Sequence, residues 1–288
     1  MMTGQAIIWV GGAYALAASV AYAGYRAKSL SASGAIAACL VGGTIFGIGG
    51  LDWAVLLLAF FASSSLLSFF KAADTRKIEA TETFDKGGRR DAAQVLANGG
   101  VAAALAAFSG LAGGGPPYFY LFAGYVGALA AATSDTWATE LGVLSRTRPR
   151  MITTGKSVDA GTSGAVTIIG IAAAVGRAIF IGLVAATLLL FYGNEVSLIE
   201  GAAALVTVAL AGGIGGSVLD SLLGATVQSS YLCPHCEKAT ESRIHRCGTP
   251  ARLTGGVAAI NNDVVNFMAT LSGALIAVLA YSVLGNPF

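Results

Sequence analysis

The chain has 288 residues, of which 55% are hydrophobic and only 11% charged, with a net charge of +2. Soluble domains carry about 25% charged residues, so this chain cannot cover a water-facing surface of normal polarity. A soluble globular protein is excluded, no nucleic-acid partner is expected, and an all-α polytopic integral membrane bundle remains.

Residues 1–288 read as a single transmembrane domain with room for about eight spans of roughly 20 residues each. The 39 glycines suit close helix–helix approach in lipid, where small residues line the interfaces. Apolar runs lie near 5–24, 32–50, 53–70, 93–112, 117–134, 164–192, 198–219 and 256–284. The first ends in Ala21-Tyr22-Ala23, which resembles a signal-peptidase site. No Lys or Arg precedes that run, however, and Arg26 and Lys28 follow it. A signal peptide has its positive charge first, so the run is expected to stay as a span.

Charge alternates sharply between the loops. Arg26 and Lys28 lie in the first. Lys71, Arg76, Lys77, Lys86, Arg89 and Arg90 lie in the third, Arg146, Arg148, Arg150 and Lys156 in the fifth, and Lys238, Arg243, Arg246 and Arg252 in the seventh. The loops near 50–52, 112–117 and 193–198 have none, and of 17 basic residues Arg177 alone falls in a span. The positive-inside rule then puts the basic loops on the cytoplasmic face and both termini on the opposite one. Arg177 either snorkels, if its span begins near Ile168, or pairs with an acidic residue inside the bundle.

Three polar clusters abut that basic face: Ser134-Asp135-Thr136 with Glu140, Gly216-Ser217-Val218-Leu219-Asp220-Ser221, and Asn261-Asn262-Asp263 with Asn266. A carboxylate at a helix centre in lipid costs roughly 2.5–3.5 kcal/mol, so such groups face the bundle interior and mark a site. Carboxylates and carboxamides are also oxygen donors for Mg²⁺. In the third loop, Lys86, Arg89 and Arg90 lead into Gln94 and Asn98. Those cations read equally as a solvated loop drawn to anionic headgroups and as a phosphate grip. The glycines of Gly161-Thr162-Ser163-Gly164 and Gly212–Gly216 do not match a Walker A spacing; they suit either backbone approach to a phosphate or tight helix packing.

Between the last two spans, residues 229–253 carry Cys233-Pro-His235-Cys236 and His245-Arg-Cys247. A Cys-x2-Cys knuckle followed by His-x-Cys has the spacing of a structural zinc site. Cys233, Cys236 and Cys247 are the expected ligands, with His245 ahead of His235 as the fourth. The alternative is a set of free thiols, or a disulfide if the topology is inverted. Four protein ligands would leave no open position, so the Zn²⁺ would pin the loop beside the site.

Ser134-Asp135-Thr136-Trp137-Ala138-Thr139-Glu140-Leu141-Gly142, Pro149-Arg150-Met151-Ile152-Thr153-Thr154, Gly161-Thr162-Ser163-Gly164, Gly216-Ser217-Val218-Leu219-Asp220-Ser221-Leu222-Leu223-Gly224-Ala225 and Asn261-Asn262-Asp263-Val264-Val265-Asn266 together resemble one family. It is the multi-span family catalogued as domain of unknown function 92, which includes the plant phytyl-phosphate kinases of vitamin E salvage. The resemblance covers nearly the whole chain and extends to Gln94–Gly100 and to the cysteine segment. It implies a membrane-embedded kinase that moves a phosphoryl group from a nucleoside triphosphate, CTP or ATP, to an isoprenyl monophosphate.

Site roles follow from motif position and chemistry. Asp135 and Asp220 are expected to hold Mg²⁺, with Asp263 beside them and Glu140 as a further catalytic acid. Asn98, Asn261, Asn262, Asn266, Ser134, Ser217 and Gln94 would hold phosphate oxygens or complete the metal's shell. Lys86, Arg89, Arg90 and Arg150 would neutralise charge. The prenyl tail would lie among membrane lipids, between apolar helices. The rival readings are a lipid-phosphate cytidylyltransferase and a transporter of a small anion or ion. An alternating-access site should lie near the bilayer midplane, whereas these residues gather near one face.

Overall fold

The computed structural model describes residues 4–72, 89–112, 115–142, 145, 147–189 and 198–285. Among them the elements run α1 (Gly4–Arg26), α2 (Ala32–Thr44) continued by a wider π-helical turn (Ile45–Gly49), α3 (Leu51–Ala72), α4 (Ala92–Ala112) and α5 (Pro116–Gly142). A ribbon of β1 (Arg150–Met151) and β2 (Ala165–Val166) precedes α6 (Ile168–Leu189) and α7 (Leu198–Thr226). A small antiparallel sheet of β3 (Ser230–Leu232), β4 (Ala239–Thr240) and β5 (Arg252–Gly255), in the order β4-β3-β5, then leads to α8 (Asn262–Val283). Among the described residues, 6 helices are long and apolar enough to cross a membrane: α1, α2 with its π turn, α4, α6, α7 and α8.

The helical bundle agrees with the expectation, but four ends shift. α5 and α7 run on past residues 134 and 219, so Asp135 and Asp220 lie inside helices rather than at their ends. Apolar runs stop where polar residues begin. Helical hydrogen bonding does not, because it runs through the backbone, and the hydroxyls there are satisfied within the same helix: Thr133 donates to the Leu129 carbonyl, and Thr136 to that of Ala132 at 2.9 Å. α6 and α8 start later than expected because side chains cap them. Thr167 Oγ1 accepts from Gly170 N–H, and Asn261 Oδ1 from Val264 N–H, each at 3.0 Å.

α5 is the central helix. Every residue from Phe122 to Ser134 is buried, and its neighbours are α3, α4, α6, α7 and α8. α5, α7 and α8 approach almost backbone to backbone. A Cβ added at Gly212 would lie 2.6 Å from the Gly273 carbonyl oxygen, and one added at Gly273 would lie 2.5 Å from Ala131 Cβ. Lipid gives helices no hydrophobic reason to associate, so this close contact is what holds the three together. Toward the other end of the bundle, buried Trp53 packs among Tyr118, Phe122 and Tyr125, and its Nε1 donates to Tyr118 Oη at 3.1 Å.

The described parts of the basic loops gather at one end. Arg90 exchanges backbone hydrogen bonds of 3.0 Å with Ser29 and Ser31, joining the first loop to the third. Gly164, at φ +77°, brings the fifth loop so close to α7 that a Cβ there would strike the backbone of Ala225. Thr270 Oγ1 donates to the Ala97 carbonyl at 3.1 Å, which sets the starts of α4 and α8 side by side.

Candidate functional site

Asp135 and Asp220 each sit one turn beyond the triple-helix contact, four residues on from Ala131 and Gly216 respectively. Residues four apart share a helix face. The tight α5–α7 contact therefore aims both carboxylates at the same gap, where they lie within hydrogen-bonding range of each other. The Oδ2 atom of Asp220 is sealed from solvent and has no hydrogen-bond partner. Facing carboxyl oxygens with an unsatisfied buried acceptor fit a divalent cation bound by oxygen ligands. On α8, Asn262 and Asn266 continue the face of Ala269 and Gly273 toward the same level, and Asp263 lies in the first turn.

Sequence reasoning missed Glu241, a carboxylate held just past the end of α7. Glu241 follows β4 and acts electrostatically on both aspartates. Its Oε1 accepts from Ser163 Oγ at 2.9 Å and from Gln228 Nε2 at 2.8 Å. The available signal was its place between Cys236 and His245: if both bind one metal, the residues between them have a fixed place too.

The remaining expected site residues are distributed as follows. Ser134 is buried and donates to the Ala174 carbonyl at 3.0 Å, tying α5 to α6. Ser217 lies one turn beyond Gly213, at which a Cβ would meet Ser134 Oγ at 3.0 Å. Gln94 and Asp91 form a reciprocal cap at the start of α4: Asp91 Oδ1 accepts from Gln94 N–H at 2.9 Å, and Gln94 Oε1 from Asp91 N–H at 3.3 Å. Asn98 Nδ2 donates to the Gln94 carbonyl at 2.9 Å, within its own helix. Arg89 is exposed, and the Arg90 guanidinium lies 5.9 Å from the Phe61 ring centre, beside the turn between α1 and α2. Arg150 Nη1 donates to the Gly155 carbonyl at 2.9 Å in the exposed β1–β2 ribbon. Asn261 is the cap of α8. Lys86 lies outside the described residues, and Glu140 is described only as a backbone position in α5.

Arg177 follows neither expectation. α6 does begin at Ile168, as snorkelling requires, but the side chain is fully buried. Its guanidinium lies between Trp137 and Phe180, 4.6 and 4.5 Å from their ring centres. Its Nη2 donates to the Ala59 carbonyl at 3.2 Å and to Ser63 Oγ. Among the described residues no acid pairs with it. Two aromatic faces hold this cation instead.

Cys233, Cys236, His245 and Cys247 bring their ligand atoms within 4.8 Å of one another. The sulfurs of Cys233 and Cys247 are 3.6 Å apart, and His245 Nδ1 is 3.1 Å from Cys247 Sγ. A disulfide would need about 2.05 Å, so these are free thiols. Zinc bonds of about 2.3 Å put tetrahedral sulfurs just under 4 Å apart, which this spacing fits. Hydrogen bonds with Thr249 first, then with His245, hold the Cys247 thiol down at about 5, in the thiolate form that metals take. The cluster could thus hold a Zn²⁺. Purified protein is expected to carry about one zinc per chain, and Cys236→Ser to lose most of it along with thermal stability. Equal zinc in the two proteins by elemental analysis would contradict this.

Residues 15–274 match the family described as integral membrane protein DUF92. The chain is 34% identical to Protein PGR of Arabidopsis thaliana over 277 residues, covering 91% of this chain and 92% of that one. It is 32% identical to an uncharacterized membrane protein of Methanocaldococcus jannaschii over 262 residues, covering 90% of this chain and 89% of that one. No solved structure matches. With nearly its whole length matched, and with a mostly helical fold whose helices can cross a membrane, the chain belongs to the DUF92 family of integral membrane proteins.

Proposed function

We propose that this protein is a membrane-embedded kinase that transfers a phosphoryl group from a nucleoside triphosphate to an isoprenyl monophosphate, yielding the diphosphate. The observation that carries this reading is the Asp135–Asp220 pair, set about 10 Å inside the helix ends by the 1.5 Å rise per residue. A phosphate there would lie at headgroup depth, with its prenyl tail among the helices. Phosphoryl transfer asks the protein mainly for positioning and charge stabilisation. Asp135 and Asp220 would hold a Mg²⁺, which would supply charge neutralisation to the phosphates. The two carboxylates orient that site, and the tight α5–α7 contact keeps it narrow. Asn262, Asp263 and Asn266, in the first two turns of α8, would complete it. The acceptor is already an anion, so no strong general base is needed, in keeping with the lack of a histidine near the pair.

Purified protein with Mg²⁺, labelled CTP or ATP, and phytyl, geranylgeranyl or farnesyl phosphate tests the reading. The expected product is the prenyl diphosphate without a nucleoside. A product retaining the base would replace the kinase with a cytidylyltransferase, and no product with any pair would remove both.

The alternation of basic loops supports a membrane orientation with the site facing the cytoplasm and both termini opposite. Cysteine-reactive probes in intact cells are expected to place the 71–92 and 229–255 loops on one side. Opposite labelling of those loops would break the topology.

A further inference from the structure

Arg177 is buried inside α6, a helix apolar enough to cross a membrane. Helical side chains lean toward the N-terminus, which carries its guanidinium back toward the basic loops. A guanidinium has five N–H donors and no acceptor, so every oxygen it bonds must come from a partner. Nη2 finds two on α3, the Ala59 carbonyl and Ser63 Oγ. Nε and Nη1 are sealed from solvent and have no hydrogen-bond partner. The same holds for the indole Nε1 of Trp137, whose ring centre lies 4.6 Å from the guanidinium. Three nitrogen donors gathered around one buried cation therefore lack an oxygen.

The aromatic rings do not meet this need. Ring faces attract a cation, but N–H groups in the guanidinium plane require lone pairs at hydrogen-bonding distance. Buried polar groups are nearly always paired, and an exception calls for an ion or another partner. Donors alone, a fixed positive charge and no acid paired with it among the described residues specify an oxyanion. Trp137 follows Asp135 by two residues, about 200° round α5 at 3.6 residues per turn. The cluster thus lies on a different side of α5 from the Asp135–Asp220 pair, against α3 and α6. Phe180, whose ring centre is 4.5 Å from the guanidinium, is exposed on the membrane-crossing part of α6. An exposed side chain, which changes rotamer within nanoseconds, is what covers the cation toward the bilayer.

We propose that Arg177 and Trp137 bind the phosphate group of an anionic lipid, which reaches them from the bilayer past Phe180. Phosphate oxygens accept from Nε, Nη1 and the indole N–H, and their charge balances the guanidinium. The lipid tails remain in the membrane. This site is separate from the carboxylate pair and does not rest on the kinase reading, because it concerns binding alone.

Full-length protein exchanged into neutral detergent is titrated with phosphatidic acid, phosphatidylcholine or inorganic phosphate. Bound lipid is read by native mass spectrometry, and melting temperature is recorded alongside. Wild type is expected to saturate with phosphatidic acid and to melt higher with it, whereas phosphatidylcholine does neither. Trp137→Phe keeps a ring over the guanidinium but loses the indole N–H. It should weaken phosphatidic acid about tenfold and leave the lipid-free melting temperature nearly unchanged. Arg177→Gln should lose saturable binding, and phosphatidic acid should no longer raise its melting temperature.

The proposal is overturned if Trp137→Phe binds phosphatidic acid as tightly as wild type, or if the lipid raises the melting temperature of Arg177→Gln as much as that of wild type. Either result would put the lipid on the basic loops. A purely structural cation predicts that Arg177→Gln melts lower by the same amount with and without phosphatidic acid. If Arg177→Gln does not fold, Trp137→Phe decides alone. Inorganic phosphate that binds as tightly as the lipid, and is weakened by the same variants, keeps the anion site and overturns its lipid source.

Discussion

Asp220→Asn, and separately Asp135→Asn, are expected to lower phosphoryl transfer roughly 10³-fold while leaving the bundle folded. An amide has the shape of a carboxylate but lacks the charge that holds a divalent cation. The packing around these residues is set by their neighbours, not by ion pairs: small residues at Ala131 and Gly216 bring the backbones together one turn away. A neutral amide in place of one of two facing buried carboxyl groups also adds no charge to desolvate, so the melting temperature should hold or rise. If the acids were instead structural partners of buried cations, the pattern would invert, with lost stability and residual turnover. Turnover assays and thermal unfolding in detergent separate the two. Near wild-type rates in both variants at saturating Mg²⁺ would move attention to Asn262, Asp263 and Asn266.

Gly273→Val is expected to prevent folding. Its first added carbon would lie 2.5 Å from Ala131 Cβ, with the Gly127 and Gly212 carbonyl oxygens each at 2.9 Å. Backbone cannot step aside as a side chain can, so α5, α7 and α8 would have to separate. Overpacking in cores costs about 1–3 kcal/mol, and a backbone collision at a three-helix contact belongs above that range. Gly176→Ala is the matched control, because a Cβ there meets nothing within 4 Å. On helix propensity that variant should be about 1 kcal/mol more stable. Size-exclusion profiles and unfolding temperatures measure both. A well-folded Gly273→Val would mean that the three helices are further apart than described.

The sequence carries those parts of the fold that rest on its one-dimensional pattern. Charge alternation places the helices because only lipid-facing segments must lack charge, and the cysteine spacing is visible because metal ligands cluster locally. Helix ends were less visible: Thr133 and Thr136 look like the close of an apolar run, yet the backbone of α5 continues past them and their hydroxyls bond back within it. Side-chain roles at α4 were also hidden, because nothing in Gln94 itself distinguishes a cap from a phosphate ligand until Asp91 is seen bonded to it. Glu241 was least accessible of all. Its place beside the end of α7 depends on the folding of the cysteine loop, and Ser163 and Gln228, which hold it, lie on separate segments. Arg177 failed for a related reason: its aromatic neighbour Trp137 belongs to another helix, and ring stacking leaves no mark in spacing.

The burial of α5 also bears on how the chain enters a membrane during synthesis. The helix carrying Asp135 is not among the 6 whose length and hydropathy suffice for a crossing. Small, aromatic and hydroxyl residues serve its packing against neighbours at the expense of its attraction to lipid. As it leaves the ribosome it is less hydrophobic than α4 or α6, and Asp135 adds a further cost. Its entry must wait for helices such as α4 and α6 to shelter it. Substitutions that weaken those neighbours should therefore surface first as chains with an inverted or missing segment, cleared by quality control before any catalytic defect can be assayed.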